Sequence, residues 1–71
     1  MKRNARIADA RSVCDAVGAR SVIVLAFEGD RVSGSSYGET VAECRSTGRT
    51  LDAIVAALEA GRIPAPVVKR T

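Results

Sequence analysis

The side chains here that could do chemistry are two cysteines, eight carboxylates, nine arginines and a group of hydroxyls, with no histidine among the 71 residues. Without histidine the common neutral-pH base is missing, and with it every Cys–His or Ser–His nucleophile. Cys14 and Cys44 each fall on the apolar stripe of a predicted helix and read as small buried hydrophobes. They are too few for a disulfide framework, and no further ligands stand at metal-site spacing. The closest carboxylates at helical spacing, Glu39 and Glu43, suit the positive end of a helix dipole better than acid–base work. No catalytic residue, metal or cofactor is assigned, and the expected class is non-enzymatic.

Anion binding is the chemistry with the densest inventory. Gly29 and Gly34 have the glycine spacing of a phosphate-binding P-loop, but Ser35 stands where its lysine belongs. They also fall on a hairpin, whereas that loop joins a strand to a helix. A softer site remains where Ser35, Ser36 and Tyr37 lead into a helix capped by Thr40, whose first N–H groups favour an anion. Arg31 would add a guanidinium and Tyr37 a ring to stack a base. Arg45 and Arg49, one turn apart on the same helix, complete the candidate ligand-binding set. The competing reading is ordinary: a solvated Ser/Gly edge strand, a cap that uses its own donors, and an arginine face salt-bridged to Asp52.

Positioning these groups requires four elements. Residues 5–17 read as an amphipathic helix, with Ile7, Ala10, Val13, Cys14 and Val17 on one side, Asn4 as N-cap and Gly18 as the left-handed stop. Ser21–Glu28 is a β-branched strand turned by Gly29-Asp30 into a more polar one, Arg31–Tyr37. Gly34 in that second strand marks a bulge or a close backbone approach. Thr40-Val-Ala-Glu43 matches a capping box and opens a helix over 40–60 with a stripe of Val41, Cys44, Gly48, Leu51, Val55 and Leu58. The stretch Ser46–Thr50 is poor in helix formers, and the alternative is a split helix with Thr50 capping a second segment. If the helix is continuous, Gly48 interrupts its stripe, and a close approach by another element is expected there.

The expected fold is therefore α+β, a small α-β-β-α domain over 1–66 with two helices on one side of a β-hairpin and a mobile tail over 67–71. Of the 33 hydrophobic residues 12 are alanine, which leaves a thin core for one small domain. The first strand is apolar on both faces and wants cover on both. Sheet completion by homo-oligomerisation, as a dimer or larger, is expected on these grounds. The net charge of +3 is dispersed; it permits an anionic partner and argues against a nucleic-acid mimic. No signal-peptide pattern is present, and the longest apolar run, Val22 to Phe27, is far short of the ~20 residues that span a bilayer. No membrane association and a cytoplasmic location are expected.

The stretches Val22–Gly38 and Leu51–Pro64 resemble short uncharacterised proteins encoded by bacteriophages of high-GC hosts. The resemblance spans roughly residues 7–66 and carries no catalytic motif. It implies a small accessory or anti-defence factor in the host cytoplasm. The expected function is capture of an anionic, nucleotide-like ligand at a subunit junction. The alternatives are an inhibitor docking on a host defence complex and a basic nucleic-acid-binding regulator.

Overall fold

The β-branched run Ser21–Glu28 forms strand β1, and Gly29, at φ 61°, turns it into strand β2, Arg31–Gly38. The computed structural model describes residues 5–29 and 31–64; Asn4, Asp30 and the 67–71 tail lie outside them. The two strands pair antiparallel in one unbroken register, from Glu28 opposite Arg31 to Ser21 opposite Gly38. Gly34 therefore marks no bulge. A Cβ there would sit 2.6 Å from Leu51 Cδ1 and 3.1 Å from Leu25 Cδ2, so the glycine marks a close approach of the second helix.

Helix α1, Ile7–Val17, follows Arg6, whose backbone N–H donates to Asp9 Oδ2 at 2.9 Å. Asp9 thus satisfies an orphan donor and sets a negative charge at the positive helix end. Gly18 ends α1 in the left-handed conformation at φ 70°, as its position after Val17 foretold. Helix α2, Val41–Glu59, starts where Glu43 N–H donates to Thr40 Oγ1 at 3.1 Å. It runs unbroken through Gly48. The Thr50 hydroxyl, the candidate cap of a second segment, instead donates to the carbonyl of Ser46 one turn back, as Thr47 does to that of Glu43. At its end Gly61 takes φ 72° and Arg62 N–H donates to Ala57 O, a Schellman-type closure.

The expectation of both helices on one side of the ribbon is overturned. Residues opposite one another in an antiparallel pair share a face, so Ile23, Leu25 and Phe27 lie with Ser36, Gly34 and Val32. Val22, Val24 and Ala26 lie with Tyr37, Ser35 and Ser33 on the other face. Leu51 meets the first face at Gly34, whereas Ala5 N–H donates to Ser33 Oγ and Arg11 stands over Tyr37 on the second. The helices touch both strands but not each other. A hairpin apolar on both faces demands cover on both, and the chain supplies it with one helix to each side.

The resulting core is thin. Ala10 and Cys14 of α1 are the fully buried hydrophobic residues among those described, with Ser35 beneath them, and no residue of α2 is fully buried. Burial of Cys14 agrees with the sequence reading; its thiol donates to Ala19 O at 2.9 Å. Cys44, expected on the buried stripe, is exposed, and so is Val41. The inward side of α2 is instead lined by Thr47, Leu51, Ile54, Val55 and Leu58. At 100° per residue Val41 points about 160° away from Glu43, which faces Arg20 at the start of β1, whereas Cys44 shares the side of Leu51 and Leu58. Val41 therefore projects on the β2 side, and Cys44 is exposed because the residue beneath it, Gly38, has no side chain. The expected close approach at Gly48 is likewise absent: a Cβ there would find only Ser36 Oγ, at 4.0 Å. The tight contact is at Gly38, where a Cβ would stand 2.5 Å from Cys44 N and 2.6 Å from Glu43 C.

Candidate functional site

The seven residues selected for anion binding occupy several places. Ser35 and Tyr37 face α1, and Ser36 faces α2 on the opposite side of the sheet, because neighbouring strand residues alternate. Arg31 opens β2 beside the hairpin turn, six residues from Tyr37, or about 20 Å along an extended strand. Thr40, Arg45 and Arg49 belong to the first turns of α2. The chain brings Thr40 and Arg45 to one cavity; Arg31, Ser35, Ser36 and Tyr37 do not line it.

The helix N-terminus itself is engaged. Thr40 Oγ1 accepts from Glu43 N–H and donates to Glu43 Oε1 at 3.0 Å. Arg20 Nε lies 3.0 Å from Glu43 Oε2 and 3.4 Å from Glu39 Oε2. The positive dipole end thus carries two carboxylates of its own and an arginine that holds them. An incoming anion would have to displace Glu43 from Thr40 and then meet negative charge. Tyr37 also has a partner, since the Arg11 guanidinium lies 5.9 Å from its ring centroid.

Beside this engaged terminus an open cavity of about 440 Å³ is lined by Gly38, Glu39, Thr40, Val41, Cys44 and Arg45. Its floor is Gly38, whose missing side chain lets β2 run directly into the first turn of α2. Val41 is 69% exposed at its wall, and Cys44 offers an exposed thiol. Arg45 at the rim and Arg49 one turn on are exposed and form no ion pair among the described residues. An apolar wall next to unpaired guanidinium groups suits a partner that presents an apolar group beside a carboxylate or phosphate.

The other thiol has a different environment. Burial, and then the carboxylates of Asp15, Glu39 and Glu43, raise the Cys14 pKa above its ordinary value. It is held as a protonated thiol. Among the described residues no three of His, Cys, Asp and Glu gather as a metal site, and no helix is long and apolar enough to cross a membrane.

Sequence reasoning missed Arg20, Gly38 and the exposure of Val41 and Cys44. Arg20 precedes β1 with no local signal; it matters because the register sets it beside Glu39, whose N–H donates to Arg20 O. Gly38 was legible only as a small residue before a cap. No family model matches the chain, nor does any curated protein or solved structure.

Proposed function

We propose that this chain is a non-enzymatic binding protein that docks on another protein through the flank of α2 carrying Val41, Cys44, Arg45 and Arg49. The exposed Val41 beside the unpaired Arg45, at the mouth of an open cavity, carries this reading. A large apolar side chain held out at a helix start costs nothing by itself, but next to a cavity and two uncompensated cations it forms an anchor with a charged rim. The absence of histidine and the engagement of Glu39 and Glu43 with Arg20 and Thr40 support a binding rather than a catalytic role. An accessory protein of phage type acting against a bacterial host complex fits this size and surface.

The second reading is capture of a nucleotide-like anion at a junction between subunits. Arg45 and Arg49, one turn apart and without a carboxylate partner, favour it; a second copy would have to bring the groups that one chain keeps apart. The deciding experiment is affinity capture from bacterial lysate with the wild type and with a Val41→Asp, Arg45→Glu variant, beside calorimetry with a nucleotide panel. A defined protein retained by the wild type and lost by the variant supports docking. Equal retention by both removes the α2 flank from consideration. Nucleotide heat in the wild type that Arg45→Ala abolishes would favour anion capture instead.

A further inference from the structure

The most apolar strand of the chain is less covered than the polar strand beside it. Val22, Ile23, Val24, Leu25 and Phe27 of β1 all remain partly accessible, whereas Ser35 and Gly38 of β2 are buried. Among the described residues the outer edge of β1 is open, since the sheet has two strands and β2 lies on its other side. Arg20 O accepts from Glu39 N–H, so Arg20, Val22, Val24 and Ala26 turn their backbone groups toward β2. Ser21, Ile23, Leu25 and Phe27 turn theirs outward. Edge strands are normally blunted by proline, lysine, an inward charge or a bulge, and β1 has none of these between Val22 and Phe27.

We propose that β1 is the seam of a two-fold dimer, in which a second copy of this chain pairs its β1 antiparallel with Val24 on the axis. The sheet then has four strands in the order β2-β1-β1-β2. A two-fold axis normal to a sheet keeps each face on its own side, so only residues of like parity stand opposite. With Val24 on the axis, Ile23 meets Leu25 of the partner subunit and Val22 meets Ala26 of the partner subunit. Because Arg20 already holds Glu39 and Glu43, setting Glu28 opposite Arg20 of the partner subunit adds little, and the apolar side chains carry the seam. Centring on Leu25 would instead press Glu28 against Val22 of the partner subunit.

The helix layer fits the same axis. Arg11 stands about 80° from the inward line through Ala10 and Cys14, on the β2 side over Tyr37. Val13 lies about 80° and Val17 about 40° to the opposite side, which faces the open edge of β1. Both are exposed, at 43% and 67%. Two hairpins joined at β1 have centres two strand spacings apart, roughly 10 Å, which is the distance at which helices pack. The two α1 helices would therefore meet through Val13 and Val17, whose exposure in one chain is otherwise unexplained. The seam lies on the far side of the sheet from the Val41–Arg45 flank, so this inference and the proposed function stand or fall separately.

Light scattering at micromolar concentration should give twice the 7.4 kDa chain mass. In a Cys44→Ser background, mild oxidation should cross-link Val24→Cys, because non-hydrogen-bonded partners stand about 4.5 Å apart at Cα. Ala26→Cys should not cross-link, its two copies being about 13 Å apart along the strand. Ser21→Pro removes an outward N–H at an exposed first strand position and spares the β1–β2 ladder. By symmetry it deletes two seam hydrogen bonds and should weaken dimerisation roughly tenfold without changing circular dichroism. A folded monomer of 7.4 kDa at that concentration overturns the proposal. So does a dimer that Ser21→Pro leaves unchanged, a result that decides the matter even if Val24→Cys fails to fold.

Discussion

Gly48→Ala should stabilise the protein, and Gly38→Ala, the same chemical change ten residues earlier, should destabilise it. Gly48 lies inside the continuous helix α2, where glycine costs about 0.8–1 kcal/mol relative to alanine through the backbone freedom it loses on folding. The added Cβ would meet nothing closer than Ser36 Oγ at 4.0 Å, so no steric penalty offsets the gain. At Gly38 the nearest atoms would be Cys44 N at 2.5 Å and Glu43 C at 2.6 Å. These are backbone atoms in a capped first turn and have no rotamer to escape into. Forcing the helix start off the strand should cost about 1–3 kcal/mol, as overpacking does, and should enlarge the cavity under Val41. Urea unfolding followed by far-ultraviolet circular dichroism, at one fixed protein concentration, gives both numbers. With a slope near 1 kcal/mol/M for so small a chain, the Gly48→Ala midpoint should rise by about 0.8–1 M and the Gly38→Ala midpoint should fall by about 1 M or more. Destabilisation by Gly48→Ala would mean that something does pack on that face of α2. Tolerance of Gly38→Ala would refute the close strand-to-helix contact.

Thr40→Ala should cost about 0.5–2 kcal/mol in the same urea assay, since it strips Glu43 N–H of its acceptor; an unchanged midpoint would show that water replaces the cap. Arg20→Ala removes an ion pair in which Arg20 is largely exposed and should cost less than about 1 kcal/mol, with the difference shrinking as salt is added. In the folded protein a disulfide reagent should modify Cys44 quickly and Cys14 only on unfolding; equal rates would contradict the burial of Cys14. Because the folded state holds the Cys14 proton more tightly than the unfolded chain, stability should decline as pH rises through the unfolded thiol value of 9.0, and Cys14→Ala should abolish that part of the decline.

Local structure was legible in the residues because its causes are local. Gly18 after an apolar period, the β-branched density of Ser21–Glu28, Gly29 at the turn and Thr40 with Glu43 each act within four residues of chain, and each element stands where they set it. The demand for cover on both faces of β1 was legible too, from its unbroken apolar run. How that demand is met was not. Which face a helix takes depends on the direction in which the chain leaves the hairpin, and α1 and α2 leave to opposite sides. That separation puts Ser35 and Ser36 beneath different helices and disperses an anion site that looked continuous in sequence. The stripe of α2 failed at its first two positions for a related reason. Cys44 keeps the side of Leu51 and Leu58, but it stands over Gly38 in the last strand pair, which has no side chain to cover it, and Val41 lies beyond that pair, so both stay exposed. Periodicity fixes which residues share a side of a helix; only contacts between distant segments decide which side turns inward.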